Sequence, residues 1–565
     1  IPLKAGRINP WPVSAEYPEV QVQGLIRRRA GQWSVTVYLI NGQKEPPRSK
    51  DTAWVFQPEL SVTAAAGEMA DDAPVFIRRA PGRQTPDLEE QSMNLLYRRT
   101  VEFAVGHGVA VHADLAPSRW DRAVRLTTRV APAYEVPRVT PPTAAEIPAL
   151  AGAVLDMQVL AETPDAGFAA ALGPIADAYR AWIDEQAARL AAEGDLAPHQ
   201  TVARLNLDDC RAALARIRAG LDLLGRDPQA ADAFRFANRA MAQQRVRTLY
   251  ARAVRLGQQP DLAALDAPAN RTWYPFQLAF ILLNLPALTD PTHPDRSHET
   301  QALADVLWFP TGGGKTEAYL GLTAFTLGLR RLQGMVGGYS GHAGVAVLMR
   351  YTLRLLTLQQ FQRAAALICA CELIRRADAA KWGAEPFRLG LWVGQRTTPN
   401  WTNNAAEAIQ VDRGGAPRAT AVGGSGTPHQ LTNCPWCGAE IKPGRDIRVD
   451  KYPAGAARTF IFCGDSTGQC AFTARQSPDE GLPALVVDEE IYRRLPALLI
   501  ATVDKFAQLP WKGETQMLFG RVTGYCPRHG FRSPEIEDAD SHPASPKGRP
   551  ACRSQASPPL RPPDL

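Results

Sequence analysis

The stretch Ala304-Asp305-Val306-Leu307-Trp308-Phe309-Pro310-Thr311-Gly312-Gly313-Gly314-Lys315-Thr316-Glu317 decides the reading of this chain, and an apolar run from Ala318 to Leu329 follows it. The order predicts a buried strand, a glycine-rich turn and a helix, which aims backbone N–H groups and a helix N-terminus at a phosphate. Three glycines let the backbone close around an anion without Cβ clashes. Thr311, Gly312, Gly313, Gly314, Lys315, Thr316 and Glu317 form the expected ATP-binding set. Lys315 would reach the β- and γ-phosphates and the Thr316 hydroxyl would hold Mg²⁺, which makes these two the expected catalytic residues. One position departs from the general eight-residue pattern, because Phe309 stands where it has glycine.

At 565 residues the chain exceeds what a single core supports, and length alone suggests about three to four domains. Hydrophobic residues make up 45% and charged residues 21%, as in a soluble protein, and no run approaches the roughly 20 apolar residues of a membrane span. The chain opens on Ile1 without a charged-then-apolar leader, and the expectation is a cytoplasmic protein whose start lies upstream. Net charge is +6, but twelve Arg or Lys stand against five Asp or Glu between Ala318 and Thr420. Such a surface suits a nucleic-acid backbone; solvated arginine-rich helices account for it equally well.

Residues 1–142 alternate like a β-rich module. Trp33 to Ile40 runs into Asn41-Gly42, a hairpin-turn signal. His107 and His112 read as strand residues rather than ligands. Beyond the Pro-rich stretch Pro137–Pro148, a linker by composition, the sequence is helical by period from Ala149 to Gly257, with Ile175, Tyr179, Trp182, Ile183 and Leu190 on one face.

Nine cysteines in such a chain argue for metal rather than disulfides. Cys434-Pro435-Trp436-Cys437 is a tight knuckle, and Cys463 and Cys470 lie beyond a candidate hairpin, Ile447 to Cys463. Four thiolates at two corners of a ribbon make a closed, structural Zn²⁺ site. The second pair has six intervening residues instead of two, and redox work by the Cys-x2-Cys pair is the lesser alternative. Cys526-Pro527-Arg528-His529, with His542 or Cys552, offers one more set of metal-ligand types in a polar tail that reads as a mobile loop.

The loop with a non-glycine first residue, Phe309-Pro-Thr-Gly-Gly-Gly-Lys-Thr316, resembles motif I of superfamily 2 helicases. That resemblance implies further roles. Gln277, in Trp273-Tyr274-Pro275-Phe276-Gln277, would hold adenine. Arg350, Thr352, Arg354 and Gln359, which leave the run Gly344–Met349, would grip a nucleic-acid backbone, as would Thr502 and Lys505 in a Thr-x-x-x-Phe motif. Leu485-Val486-Val487-Asp488-Glu489 invites a Walker B reading, against which stands its place before Thr502 rather than after it.

Longer strings narrow the likeness: Leu96-Tyr97-Arg98 with Glu102 to Gly108, Trp308 to Tyr319, Met349 to Arg354, the Cys-Pro-Trp-Cys knuckle, and Val487 to Tyr492 running to Phe506. From about residue 90 onward the chain resembles the helicase-like proteins of the bacterial DISARM anti-phage system. The resemblance implies a DNA-dependent ATPase working on phage DNA, single-stranded or tailed duplex, with a DrmB-like partner protein. It also implies that Pro562-Pro563-Asp564-Leu565 leads into motif II, so that the carboxylate box and a second lobe lie beyond Leu565. The expected architecture is multidomain α/β: a β-rich module (1–142), a helical domain (143–260), a RecA-like P-loop lobe with a parallel sheet (261–425, resumed at 481–525), an inserted zinc ribbon (426–480), and the loop 526–565. The expected function is an ATP-dependent DNA translocase or helicase. Its rivals are a DNA-binding scaffold using ATP as a switching ligand and a P-loop NTPase without helicase activity.

Overall fold

The computed structural model describes all residues except 1, 30, 65–72, 80–84, 134, 136–139, 310–311, 352–357, 415–425, 452–456, 537 and 545–549; the side chains of 358, 359 and 451 also lie outside the description. The chain forms two compact units, Ile1–Pro137 with Ala187–Leu207, and Arg138–Gln186 with Asp208–Leu565.

The first unit is antiparallel. Val20–Arg29 is the centre of a three-stranded sheet between Gly6–Pro12 and Gln32–Asn41, and its alternate residues Val20, Val22 and Ile26 are buried, as the two-residue period of a strand requires. A second sheet gathers Ser61–Thr63, Phe76–Ile77 and Ala110–Ala116 around Arg119–Arg129. The expected turn at Asn41-Gly42 is corrected here. Arg29 pairs with Gln32, so the reversal falls between them, where Gly31 takes φ +77°. Asn41 ends its strand instead, its side-chain amide donating to the Ala53 carbonyl at 2.6 Å.

The second unit joins a helical layer to a parallel sheet. Helix Pro228–Arg255 starts where the Asp227 carboxylate accepts the Gln229 and Ala230 N–H groups and Pro228 occupies the first turn. Its small residues Ala230, Ala233, Ala237 and Ala240 are buried, and it packs against helices Lys315–Gln333 and Leu358–Ala377. The contact is close: a Cβ on Gly328 would stand 3.0 Å from the Phe236 ring.

The sheet runs Val347–Tyr351, Leu498–Thr502, Leu389–Trp392, Ala484–Leu485, every pair parallel. Leu498 to Thr502 is wholly buried, the continuous apolar run of a strand covered on both faces. Trp392, Ile491, Leu499, Met517 and Leu560 fill the core beside it.

Two sequence expectations are corrected in this unit. The described residues between Ala304 and Phe309 form no strand, and Val306 and Trp308 are 85% and 78% exposed. A strand persists only with ladder partners. At the edge Val347–Tyr351 the Leu348 N–H donates to the Leu565 carbonyl at 2.8 Å. The stretch 526–565, expected as a loop, is largely tied down in its described part. Gly524–Cys526 pairs with Gly530–Arg532 and Gln555–Ala556. Asp564 is buried against Arg330, at 2.8 Å, and Arg296, at 2.9 Å. Among the described residues no helix is long and apolar enough to cross a membrane.

Candidate nucleotide and metal sites

Gly314 ends the glycine turn in the left-handed region, φ +87°, and hands the chain to helix Lys315–Gln333 without a side-chain cap. The first-turn N–H groups of that helix therefore have no capping oxygen from Gly314, the arrangement that receives an anion. Gly312 is also left-handed, φ +85°. The helix is buried on nearly every side from Ala318 to Arg331. At Gly321 a Cβ would stand 2.9 Å from Trp273, and the Trp273 indole in turn donates to Asn238 at 2.8 Å.

Gln277 supports this turn. Its amide oxygen accepts the Tyr274 N–H at 2.8 Å and its amide nitrogen donates to the Gly314 carbonyl at 2.7 Å, in a side chain only 3% exposed. Both ends of the amide expected to face adenine are thus engaged with the protein's backbone. Phe276 stacks on Phe309, ring centroids 3.9 Å apart, which explains an aromatic residue at the departing position. The Lys315 ammonium donates to the Phe309 carbonyl, Thr316 is half-buried, and the buried Glu317 carboxylate is paired with Arg245 and Arg363. Thr311, Thr352 and Arg354 lie outside the described residues, as does the side chain of Gln359.

Arg350 is exposed and pairs across the sheet with Ala501, one register step from Tyr351 and Thr502. These residues stand at the carboxyl ends of adjacent parallel strands, where open α/β sheets take ligands. Thr502 and Lys505 are 2% and 3% exposed, and the Lys505 ammonium is 2.5 Å from an Asp488 carboxylate oxygen. Burial pushes the Asp488 carboxyl up from its ordinary range despite that lysine. Asp488, Glu489 and Glu490 all serve the fold: Glu489 accepts the Thr402 N–H and hydroxyl at 3.0 and 2.8 Å, and Glu490 pairs with Arg458. They follow Ala484–Leu485, at the opposite edge of the sheet from Val347–Tyr351.

Cys434, Cys437, Cys463 and Cys470 converge. Hairpin Ile447–Lys451 with Ala457–Ile461 delivers Cys463, whose N–H donates to the Phe472 carbonyl at 2.9 Å. Gly438, φ +81°, closes the Cys434–Cys437 knuckle, so near helix Pro228–Arg255 that a Cβ would meet the Ala251 carbonyl at 2.7 Å. The Sγ atoms of Cys434 and Cys470 are 4.0 Å apart, those of Cys437 and Cys463 are 3.3 Å apart, and all four lie within 4.8 Å of one another. Zinc–sulfur bonds of about 2.3 Å set at tetrahedral angles require sulfurs about 3.8 Å apart, so the four thiols fit such a metal. Hydrogen bonds from Cys434, Cys463 and Cys470 hold the Cys437 thiol far below its usual range, favouring a thiolate there.

The molecule is thus a mixed α/β protein with a glycine-rich turn at the start of a buried helix and a four-cysteine site able to hold a metal. No protein-family model matches the chain. It is 34% identical over 543 residues to the DISARM protein DrmA of Bacillus paralicheniformis, a match that takes in 94% of this chain and 44% of that protein. The chain is DrmA-like, and it spans less than half the length of this relative.

Proposed function

We propose that the chain is the nucleotide-binding part of an ATP-dependent DNA translocase or helicase of superfamily 2 that acts in anti-phage defence of the DISARM type. The observation that carries the reading is the anion cradle: left-handed Gly314, held through its carbonyl by Gln277, opening helix Lys315–Gln333. In this reading residues 261–425 and 481–525 form a RecA-like lobe and 426–480 a zinc ribbon, preceded by the β-rich (1–142) and helical (143–260) modules.

ATP would supply the phosphoanhydride to be cleaved. Lys315 would hold its β- and γ-phosphates, Thr316 its Mg²⁺, and the first-turn N–H groups of the helix would offset the remaining negative charge. Arg350 would grip a DNA phosphate. In this reading the chain works with a DrmB-like protein partner on phage DNA, and the likeness to a DISARM protein supports the defence role.

The test is ATP turnover by the intact DrmA-like protein with and without single-stranded DNA, beside Lys315→Ala. DNA-stimulated turnover lost in the variant is the expected result; turnover indifferent to both DNA and Lys315 defeats the proposal. One observation favours a second reading, a DNA-binding scaffold switched by ATP: Gln277, Lys315 and Glu317 are each engaged with the protein itself, so nucleotide would have to rearrange them. Binding of ATP with altered DNA affinity and no turnover would identify that case.

A further inference from the structure

We propose that Cys526, His529, Asp538 and His542 bind a structural Zn²⁺ ion, separate from the Cys434–Cys470 site. The four supply one ligand atom each, all within 4.8 Å of one another: a thiol, two imidazoles and a carboxylate. Asp538 is the member that sequence spacing did not single out; Cys552 is not part of the group but lies opposite His542 in a short two-strand ladder.

Local folding explains the convergence. Cys526 ends strand Gly524–Cys526, the Pro527-Arg528 turn follows, and His529 leads into Gly530–Arg532, so Cys-x2-His is a knuckle at the end of a hairpin. Gly530, φ +101°, makes the turn possible. It lies so close to helix Asp488–Arg494 that a Cβ would stand 2.2 Å from the Arg493 carbonyl. Asp538 and His542 arrive from the returning segment, held by the Ser541–His542 pairing with Cys552–Arg553.

The four side chains are shielded from solvent. Cys526 is fully buried, and the side chains of His529, Asp538 and His542 are 4%, 10% and 7% exposed. Asp538 Oδ1 is 2.9 Å from His529 Nδ1 and 3.2 Å from His542 Nε2. The second approach is not aligned as a hydrogen bond, and His542 Nε2 is a buried nitrogen with no hydrogen-bond partner. A buried imidazole nitrogen without a hydrogen bond, in a group whose carboxylate, thiol and second imidazole offer ligand atoms within 4.8 Å of one another, suits a metal ligand, since leaving it unsatisfied is costly.

The donor set selects the ion. Thiolate excludes Mg²⁺ and Ca²⁺, which take oxygen ligands, and one sulfur, two nitrogens and one oxygen suit Zn²⁺. Four protein ligands leave no position for water, so the ion would be structural. It would staple the returning segment to the hairpin that rests on the helix beginning at Asp488.

The test is zinc content of the intact chain by elemental analysis, with His542→Ala and Cys526→Ser, their folding followed by circular dichroism. Each folded variant is expected to hold one zinc fewer than the parent, while Cys437→Ser, which addresses the ribbon alone, leaves this ion in place. Folded variants that keep the parental zinc count overturn the proposal. X-ray absorption at the zinc edge of the parent protein needs no variant. With both sites filled, an average of about two and a half sulfurs per zinc, the rest nitrogen or oxygen, is expected, and four sulfurs alone overturns it.

Discussion

The Lys505 ammonium lies 2.5 Å from an Asp488 carboxylate oxygen, and the two side chains are only 4% and 2% exposed. The pair joins the start of helix Asp488–Arg494 to the short helix Val503–Ala507 that follows strand Leu498–Thr502. Removing one partner leaves a buried, uncompensated charge, which costs about 3–5 kcal/mol, whereas removing both leaves none. Lys505→Met and Asp488→Asn are each expected to lower the urea midpoint strongly, and the double variant is expected to recover part of the loss. Additive losses would show that the pair is not coupled.

A second buried network gives stability its acid dependence. Burial alone would raise the Glu480 carboxyl, but Arg388, at 2.6 Å, and Arg458, at 3.0 Å, outweigh it and hold the group well below the usual carboxylate range. A depressed folded value means that the contribution is complete above the unfolded value of about 4.3 and is lost as pH falls below it. Glu480→Gln is expected to cost about 3–5 kcal/mol at pH 7 and to flatten the fall in stability between about pH 5 and pH 3. Denaturant melts across that range check both points, and an unchanged acid slope would contradict them.

Gly314 is a place where a single methyl group should matter. At φ +87° any other residue is strained by about 1–2 kcal/mol, and the added Cβ would stand 2.7 Å from the Gln277 amide nitrogen. Gly314→Ala is expected to weaken ATP binding about tenfold, the equivalent of about 1.4 kcal/mol. Combining it with Gln277→Ala relieves the clash but not the strain, so calorimetric titration of the double variant should recover little affinity. Full recovery would place the effect in the Gln277 contact alone.

What could be read from the sequence was local. Gly-Gly-Gly-Lys-Thr specifies its own turn and helix start, and cysteine spacing with a hairpin between the pairs brings four thiols together. Features that depend on distant partners were not legible. Lys505 reads from the sequence as a nucleic-acid contact, and its burial beside Asp488, seventeen positions earlier, is not visible there. Gln277 reads as an adenine ligand until the Gly314 carbonyl, thirty-seven positions on, takes its amide. The tail looks mobile by composition, yet Asp564 is fixed by Arg330, 234 positions away. Trp182, placed by helical period with the core face, is 46% exposed and stacks on Tyr179 instead.

The central claim is that helix Lys315–Gln333 opens on a nucleotide-phosphate site. Its most direct measurement is calorimetric titration of the 565-residue chain with ATP and Mg²⁺, beside Lys315→Ala at matched folding by circular dichroism. The account predicts saturable binding near one nucleotide per chain that weakens at least about tenfold in the variant, the loss of one charged phosphate contact. Absence of binding, or equal affinity in both proteins, would contradict it.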